Sequence, residues 1–295
     1  MATLISGGTG LVGRALLARL QSPVVLTRDP TRAKREISGE VDARSWQGLG
    51  ADTFAGIESV VHLAGESVAE GRWTDSKKQR IRESRVERTR TLVQAMGACQ
   101  APPRLLVSAS GVGIYGNSGD KLVAESTPAA SGFLARVCVD WEREALAAAA
   151  FGTRVVILRI GIVLAPGGGA LAKMALPFKL GFGAQLGSGQ QWVPWIHVDD
   201  VVGLIEHALN TPQLKGPINV VAPAPVTNAA FTSALAAALH RPAFLRVPSF
   251  ALRWGVGEMA AALLESQRVQ PLVAEESGYR FKYRSLESAL SAIFH

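Results

Sequence analysis

The segment from Ala2 to Gly13 decides the fold. It reads Ala-Thr-Leu-Ile-Ser-Gly-Gly-Thr-Gly-Leu-Val-Gly, so that a short apolar run enters a turn with a glycine at every third position. In such a turn the first glycine permits a tight bend, the second lets the backbone approach a pyrophosphate, and the third lets the following helix pack closely. Because this turn joins a predicted strand to a predicted helix, it predicts a dinucleotide site. The residues predicted to line the site here are Gly7, Thr9, Gly10, Leu11, Val12 and Gly13.

The rest of the chain alternates short apolar runs with helical patterns. Strands are predicted at 2–6, 23–27, 39–44, 59–63, 104–108, 154–160 and 218–221, and helices at 14–20, 75–96, 133–150, 228–239 and 250–264. This alternation predicts an α/β protein with a Rossmann-type doubly wound parallel sheet. We expect residues 1–160 to form the nucleotide-binding domain, with 191–221 returning to it. Residues 161–190, which are rich in glycine, and 222–295 are expected to form a small, mostly C-terminal substrate lobe.

Composition excludes several classes of protein. The 295-residue chain has two cysteines far apart and five histidines without metal-ligand spacing, so neither a disulfide framework nor a metal site is predicted. It shows no apolar run long enough for a membrane span and no targeting pattern at the start, so we expect a cytoplasmic protein that does not bind membranes. The formal charge of +7 is densest at 72–90, a stretch interpreted as an ion-paired helix face. Because no nucleic-acid motif accompanies it, phosphate-bearing small ligands are favoured over nucleic acid as partners.

The end of the second strand carries the cofactor preference. A site for NAD needs a carboxylate there to bind the ribose hydroxyls. The strand instead ends in Leu26-Thr27-Arg28. The Arg28 guanidinium suits a 2′-phosphate, to which it can donate a forked, charge-assisted pair of hydrogen bonds, and Thr27 adds a hydroxyl. Asp29 is the competing feature, because its carboxylate can still reach a ribose, but the pattern favours NADP(H).

Later motifs carry a family resemblance. The segments His62–Glu66, Ser108–Ser110 leading to Tyr115, and Trp195–Asp200 resemble those of extended short-chain dehydrogenases. More narrowly, the chain is similar to the atypical epimerase-family proteins, also described as cell-division-inhibitor-like sugar epimerases. The narrower similarity rests on Ala64-Gly65-Glu66, Ser84-Arg85 and the segment Glu265–Pro271. The resemblance implies a Rossmann fold with a small C-terminal lobe and bound NADP(H). The cofactor contacts expected from these motifs are Leu63, Ala64, Gly65, Glu66 and Arg85.

The catalytic residues of that group are incomplete in this chain. Typical short-chain dehydrogenases use a tyrosine as acid/base, with a lysine one helical turn later, at the helix after the fifth strand. That place reads Phe133 to Cys138 here and contains neither residue. The predicted catalytic residues are therefore Ser110, as a hydroxyl that polarises a carbonyl, and Tyr115, as a displaced proton donor, with Glu66 a weaker third candidate. Each has a structural alternative: Ser110 caps backbone at a strand end, and Tyr115 packs as a loop aromatic.

The sequence leaves two functions open. One is an NADP(H)-dependent oxidoreductase or epimerase acting on a small carbonyl compound or on a sugar, either free or nucleotide-linked. The other is a catalytically weak NADP(H)-binding or redox-sensing module that acts through a partner. His197 with Asp199 suggests a hydrolase dyad, but the chain has no nucleophile elbow, so a structural role is favoured. A homodimer that pairs through the long helix at 75–96 is also expected.

Overall fold

The elements of the fold follow the alternation of the sequence. A computed structural model describes residues 2–37 and 41–295. Its strands are β1 (Ala2–Ser6), β2 (Val24–Thr27), β3 (Asp42–Ser45), β4 (Ile57–His62), β5 (Leu105–Gly111), β6 (Leu122–Val123), β7 (Arg154–Ile160), β8 (Ile162–Leu164), β9 (Ala184–Leu186), β10 (Trp192–Val193), β11 (Trp195–His197), β12 (Gly216–Val220), β13 (Val226–Thr227), β14 (Leu245–Val247) and β15 (Arg268–Val269).

Helices cover the sheet and build most of the C-terminal part of the chain. They are α1 (Leu11–Leu17), α2 (Pro30–Glu36), α3 (Asp75–Glu83), α4 (Val86–Gly97), α5 (Phe133–Leu146), α6 (Gly169–Lys179), α7 (Val198–Asn210), α8 (Asn228–Ala238), α9 (Ser249–Val256), α10 (Met259–Leu264), α11 (Leu272–Glu276) and α12 (Leu286–Phe294). Short 3₁₀ turns occur at Ala51–Phe54, Val112–Tyr115 and Ala147–Phe151. None of the helices in the described ranges is both long enough and apolar enough to cross a membrane.

Seven strands form the central sheet, in the order β12-β7-β5-β4-β1-β2-β3. All of their pairings are parallel. The chain moves outward from β1 in one direction through β2 and β3, and then returns to β4 on the other side of β1. This reversal opens a crevice at the carboxyl ends of β1 and β4, where doubly wound sheets bind their ligands. The predicted Rossmann-type doubly wound sheet is confirmed.

The core lies on both faces of the sheet, because successive strand residues point to opposite sides. One face packs against α1 and α7 and carries Ile5, Val25, Val61, Val107 and Val156. The opposite face packs against α4 and α5 and carries Leu4, Val24, Val60, Leu106 and Ile157. Because both faces are buried, these strands read as continuous apolar runs rather than as alternating patterns.

A smaller cluster forms the core of the predicted substrate lobe. It is built around Trp195, Phe178, Phe231 and Leu290, which come from β11, α6, α8 and α12. Four two-stranded pairings accompany it: β8 with β11, β9 with β14, β10 with β13, and β6 with β15. The exact division into 161–190 and 222–295 stays a prediction.

Several predicted boundaries were wrong. The first helix begins at Leu11 rather than at 14, because Gly10 supplies its extended N-cap residue. Part of the predicted third strand, Gly39 and the residue after it, lies outside the described residues, and β3 itself begins at Asp42. The run 250–264 is two helices, since Gly257 between them has a φ of +63°.

The long helix predicted at 75–96 is also two helices, which meet at Ser84 and Arg85. The Ile81 carbonyl accepts hydrogen bonds from the Ser84 hydroxyl, at 3.1 Å, and from the Arg85 guanidinium, at 3.2 Å. The Arg85 backbone N–H donates to the Arg82 carbonyl, three residues back in the sequence, instead of to the carbonyl four residues back as in an α-helix. Side chains thus replace a backbone hydrogen bond, and the helix changes direction between α3 and α4.

His62 is fully buried at the end of β4. The Ser6 and Thr89 hydroxyl oxygens lie 2.5 and 3.0 Å from its two ring nitrogens. Burial lowers the pKa of His62 to about 4. His62 is therefore a core residue of the sheet.

We predict that His62 makes the free energy of unfolding depend on pH. Its pKa is lower in the folded chain than the ordinary value of about 6.5, so the unfolded chain binds the proton more tightly. The stabilising contribution is present above about pH 6.5 and is lost as the pH falls toward 4, which amounts to about 2 kcal/mol between pH 7 and pH 5. Urea unfolding of the wild type and of His62→Gln at both pH values measures it. Identical pH dependence in the two proteins contradicts the prediction.

Candidate functional site

The glycine-rich turn after β1 is held tightly against its neighbours. Gly7 has a φ of +78°, and a Cβ atom placed on it would lie 2.8 Å from the backbone of Leu63 after β4. A Cβ atom on Gly13 would lie 2.2 Å from the Gly7 carbonyl oxygen. Only glycine fits either position. The turn therefore brings the N-terminus of α1 to the crevice between β1 and β4, with backbone rather than side chains facing the opening.

A loop from the substrate lobe covers this turn. Gly168 and Gly169 contact the side chain of Leu11 so closely that neither has room for a Cβ atom without displacing it. A cleft of about 430 Å³ lies between the loop and the turn. Its walls are Thr9, Leu11, Arg14 and Ala15 on one side, Ala165 to Gly169 on the other, and Val198. The lobe thus reaches the predicted phosphate-binding turn.

At the end of β2, Arg28 is exposed and makes no ion pair with any residue that the structure describes. The neighbouring carboxylate, Asp29, is occupied: it caps α2 by accepting a hydrogen bond from the Arg32 backbone N–H at 2.9 Å. Thr27 is half-buried, and its hydroxyl oxygen lies 3.4 Å from the Asp29 backbone nitrogen. The Asp29 carboxylate, which was the alternative to Arg28 for contact with the ribose, thus serves as a helix cap.

The end of β4 carries a charged pair. Lys77 is almost fully buried, and its Nζ donates to Glu66 Oε1 at 2.7 Å. The Glu66 backbone N–H donates to the Ser84 hydroxyl at 2.9 Å, which ties this loop to the junction of α3 and α4. The hydrogen bond from Lys77 lowers the pKa of Glu66, and the charges of Arg80 and Arg28 lower it further. Glu66 is therefore ionised at neutral pH and lies in a field of several cations.

Arg85 lies beside this pair, against the backbone of Gly65. A Cβ atom on Gly65 would lie 3.3 Å from the guanidinium, and the guanidinium carbon lies 5.2 Å from the centre of the Trp141 ring. Burial lowers the pKa of Arg85, and among the described residues no carboxylate pairs with it. The indole N–H of Trp141 is buried without a hydrogen-bond partner. The site therefore holds a largely desolvated cation whose charge is not neutralised by the chain.

The side chain of Ser110 hydrogen-bonds to a buried ion pair. Its hydroxyl donates to Glu142 Oε1 at 2.7 Å, and Glu142 accepts two hydrogen bonds from Arg159, each at 2.9 Å. Both side chains of the pair are 9% exposed. Burial alone would lower the pKa of Arg159, but the hydrogen bonds and charge of Glu142 outweigh it and raise that pKa. The Ser110 hydroxyl proton thus points toward Glu142. Ser110 as a whole is buried, with 5% of the residue exposed.

Tyr115 joins the same network. Its hydroxyl donates to Asn219 Oδ1 at 2.7 Å and accepts from Arg159 Nη1 at 2.9 Å. The phenol thus has a neighbouring cation, which comes from β7 rather than from nearby in the sequence. Burial nevertheless raises the pKa of Tyr115, and Arg159 offsets this only in part. The phenol stays protonated at neutral pH, and it is packed among Val112, Val269 and other apolar side chains.

The start of α5 is apolar, as the sequence indicates. Phe133 packs edge-on against Trp73, with ring centres 5.6 Å apart. Cys138 is buried, and burial raises the pKa of its thiol to about 11. No cation of α5 takes the place of the missing lysine within the described residues around this helix start. Arg85, which comes from a different helix, has a Coulombic effect on Cys138 and is the cation that reaches this region.

His197 has a structural role. Its Nδ1 accepts a hydrogen bond from the Asp199 backbone N–H at 3.0 Å and so caps α7. The Asp199 carboxylate forms ion pairs with Arg19 and Lys282, and the imidazole packs on the Tyr283 ring at 4.0 Å. The basic stretch at 72–90 is likewise ion-paired, through Lys77–Glu66, Lys78–Asp75, Arg82–Asp140 and Arg90–Glu144.

Sequence reasoning missed Glu142, Arg159 and Lys77. Arg159 had a visible signal, because it interrupts the apolar run 155–160 of a buried strand, and a buried arginine requires an acidic partner. Glu142 had no such signal in the sequence, apart from its place in a predicted helix. Lys77 lies in a stretch dense with charges, and nothing in the pattern distinguishes the one lysine that turns inward.

A doubly wound parallel sheet with a glycine-rich turn at its switch point defines the class: a dinucleotide-binding protein of the short-chain dehydrogenase type. Residues 3–222 match the model of the NAD dependent epimerase/dehydratase family, and residues 247–293 match a domain of unknown function, DUF1731. The chain belongs to the NAD dependent epimerase/dehydratase family. The recognition of an atypical, extended member with a C-terminal lobe is confirmed.

Relatives match along nearly the whole chain. The chloroplastic homologue of epimerase family protein SDR39U1 from Arabidopsis thaliana is 40% identical over 302 residues, which cover 99% of this chain and 86% of that protein. An epimerase family protein of Mycobacterium tuberculosis (strain CDC 1551 / Oshkosh) is 39% identical, over 97% of this chain and 95% of that protein. The crystal structure of human SDR39U1 (isoform 2) with NADPH superposes with a TM-score of 0.88 at 35% identity, over 99% of both chains.

We predict that Tyr115 contributes to stability. Replacing it with phenylalanine leaves Asn219 Oδ1 buried without a partner and removes one of the two hydrogen bonds of Arg159 Nη1, which costs about 1–3 kcal/mol of the free energy of unfolding. Urea unfolding of the wild type and of Tyr115→Phe measures the loss. The matched control is Tyr283→Phe, whose hydroxyl lies outside the buried network, beside the exposed Lys282. A Tyr115→Phe protein as stable as the wild type contradicts the prediction.

Proposed function

We propose that this chain binds NADP(H) at the crevice between β1 and β4 and acts as an oxidoreductase or epimerase on a small carbonyl or nucleotide-linked sugar substrate. The observation that carries the proposal is the surplus of positive charge around the glycine-rich turn, where Arg28 and Arg85 are unpaired within the described chain. The family membership and the NADPH in the human relative support the cofactor.

The residues fit the cofactor in two places. The turn at Gly7 to Gly13 offers backbone N–H groups to a pyrophosphate, because the positions of Gly7 and Gly13 leave no room for a side chain. Arg28 would hold the 2′-phosphate with a forked pair of hydrogen bonds, while Asp29 is committed to its cap. A further contribution comes from Arg80, whose Nε lies 3.9 Å from Glu66 and whose side chain is 56% exposed. Leu63 and Ala64 continue the cradle, since they pack directly on Gly7.

Arg85 would supply the cation that the missing lysine supplies in typical relatives. It lies against Gly65, beyond the end of β4, and its guanidinium is desolvated and unneutralised. Such a cation stabilises negative charge that develops on a substrate oxygen, and it also binds ribose hydroxyls. When bound, the nicotinamide supplies or accepts a hydride; the chain's task is to bind, to exclude water and to move the accompanying proton.

Three groups are candidates for handling that proton. Ser110 and Tyr115 belong to the same buried network, in which the Ser110 hydroxyl donates to Glu142 and the Tyr115 hydroxyl accepts from Arg159. Glu66 is ionised and partly exposed, which suits it to accept a proton rather than to donate one. The pKa of Tyr115 is raised and that of Glu66 is lowered, so both move away from neutrality, and turnover at pH 7 is slower than with a lysine-assisted tyrosine.

A binding module is the second candidate function, and one observation favours it. Both predicted catalytic hydroxyls, Ser110 and Tyr115, are already engaged with protein partners and are no more than 5% exposed. In that case NADP(H) would be a structural or redox-sensing ligand.

We predict that the chain binds NADPH more tightly than NADH. Losing the contact between Arg28 and the 2′-phosphate costs about 1.5–3 kcal/mol, or about one to two decades in affinity. Titration followed by nucleotide fluorescence measures both cofactors with the wild type, Arg28→Ala and the control Arg35→Ala, which removes an exposed arginine from α2. Equal affinities for the two cofactors in the wild type contradict the NADP(H) assignment.

We predict that one of three variants loses turnover while keeping NADPH affinity. A screen of NADPH oxidation against carbonyl compounds, run beside an isomer-shift assay with nucleotide sugars, provides the substrate. Removing the acid/base group costs about two to four decades in rate, so Ser110→Ala, Tyr115→Phe and Glu66→Gln identify it. Full turnover in all three excludes these residues. Tight NADPH binding without any substrate in the screen favours the binding module.

A further inference from the structure

The C-terminal part of the chain exposes a group of large apolar side chains, most of them aromatic. Each member is more than half exposed, and Trp254 is 85% exposed. We call this group the aromatic face; it consists of Leu176, Leu180, Phe182, Phe244, Phe250 and Trp254. Apolar side chains that are exposed singly are ordinary, but a group of this size on neighbouring elements marks a surface that another body covers.

The pairing of β9 with β14 brings these residues onto one surface. The two strands are parallel, so Phe182 and Phe244, which precede them, lie at the same end of the pair. At the other end α9 begins at Ser249, whose hydroxyl oxygen lies beside Gly187, the residue that follows β9. A strand of three residues is about 10 Å long. The rings at the two ends of β14 are therefore close enough to contact the same partner.

The helix α9 turns its aromatic side chains outward. None of its residues is buried. Phe250 and Trp254 are about one helical turn apart, so they project side by side, and Arg253 lies next to them. Leu252, on the opposite side of the helix, is half-buried. The end of α9 is fixed to the loop after β4, because Arg72 Nη2 donates to the Trp254 carbonyl at 2.6 Å. The backbone of α9 is thus anchored while its two rings stay exposed.

The charged side chains that alternate with the aromatic face are cations. All are exposed and form no ion pair within the part of the chain that the structure describes: Lys179, Arg241, Arg246 and Arg253. The sequence has no aspartate or glutamate at 145–198 or at 207–257. The next carboxylates along the chain are Glu258, which forms an ion pair with Lys78 at 3.0 Å, and the half-buried Glu265. Even when both carboxylates are counted at full charge, the four cations exceed them by two.

The charge and the shape of the aromatic face favour a lipid surface over a second copy of the chain. Two copies that met through this face would bring like charges together, which opposes association. A protein partner covers one side of a strand, but Phe244 and Leu245, which are successive residues and point to opposite sides, are both exposed. A bilayer interface can surround such a segment, and it accepts aromatic rings together with lysine and arginine. Anionic headgroups supply the opposite charge.

We infer that the aromatic face binds the surface of a bilayer that contains anionic phospholipids. Phe250 and Trp254 enter the headgroup region, and Arg246 and Arg253 contact the headgroup phosphates. The chain lies on the bilayer without spanning it. The sequence-based expectation that the chain does not bind membranes rested on spans and targeting patterns, and neither detects a face assembled from separate segments. The inference is independent of the proposed function, because no residue of the aromatic face is assigned to the cofactor or to catalysis.

Cosedimentation of the full chain with vesicles tests the inference. One set of vesicles is phosphatidylcholine alone, and the other is phosphatidylcholine mixed with phosphatidylglycerol. We expect the wild type to bind the anionic vesicles more tightly than the neutral ones. The affinity for the anionic vesicles falls by about tenfold or more in Phe250→Ala/Trp254→Ala, which loses buried ring area, and in Arg246→Gln/Arg253→Gln, which loses two charges near the headgroups.

Two double variants of other surfaces are the matched controls. Val139→Ala/Leu146→Ala removes exposed apolar side chains from α5, and Lys215→Gln/Arg280→Gln removes two exposed cations. Both keep the wild-type affinity for vesicles. Tryptophan emission gives a second readout: it shifts to shorter wavelength on anionic vesicles, and Trp254→Phe loses this shift while it keeps most of the affinity. The melting temperature and the NADPH affinity are unchanged in every variant.

Three outcomes overturn the inference. The first is a wild type that does not bind anionic vesicles. The second is binding that falls equally in the variants of the aromatic face and in the controls, which shows only the general attraction of a basic chain. The third is a dimer, seen by sedimentation velocity without lipid, that Phe250→Ala/Trp254→Ala dissociates, because the face then binds a second copy. If that double variant does not fold, Phe182→Ala/Phe244→Ala replaces it, with the same loss of vesicle affinity expected.

Discussion

The buried ion pair between Arg159 and Glu142 is the constraint on which the functional half of the molecule depends. It joins β7 to α5, and through its remaining bonds it reaches Ser110 on β5 and Tyr115 in the following turn. Removing one partner of such a pair leaves an uncompensated buried charge, which costs about 3–5 kcal/mol. The pair therefore restricts what can stand around it, and the two hydroxyls at the sheet edge are oriented by it before any substrate arrives.

This arrangement explains why the fold was predictable and the catalytic residues were not. The turn at Gly7 and Gly13 acts through backbone sterics over a few residues, and strand alternation is local, so both are visible in the sequence. The partners of Tyr115 come from residues 159 and 219, and the break between α3 and α4 depends on Ser84 meeting Glu66. Contacts of this kind exist only once the sheet has assembled. Arg28 was identifiable because the end of β2 has a fixed place in this fold. Lys77 was not identifiable, because it lies in a stretch dense with charges where the sequence does not show which lysine is buried.

The loss of the tyrosine and lysine at the start of α5 coincides with a different distribution of charge. In this chain Lys77, in α3, and Arg85, at the junction of α3 and α4, face the loop after β4. Arg85 also contacts α5, through the ring of Trp141. A guanidinium cannot be deprotonated near neutral pH, so Arg85 can stabilise an anion but cannot itself transfer a proton. Under the proposed function, the cation that stabilises negative charge and the group that transfers the proton would therefore be separate side chains.

The C-terminal part of the chain adds a second constraint. The cleft beside the glycine-rich turn is bounded by backbone at Gly7 and by the loop at 165–169, and Arg14 is the charged side chain in its wall. Ser266 joins Trp192 to the loop that follows Tyr115: its hydroxyl accepts from the Trp192 backbone N–H and donates to the Gly119 carbonyl, and its backbone N–H donates to Asn117. The segment that follows the buried phenol is therefore fixed by residues far along the chain, which is a further reason why its conformation could not be predicted from local sequence.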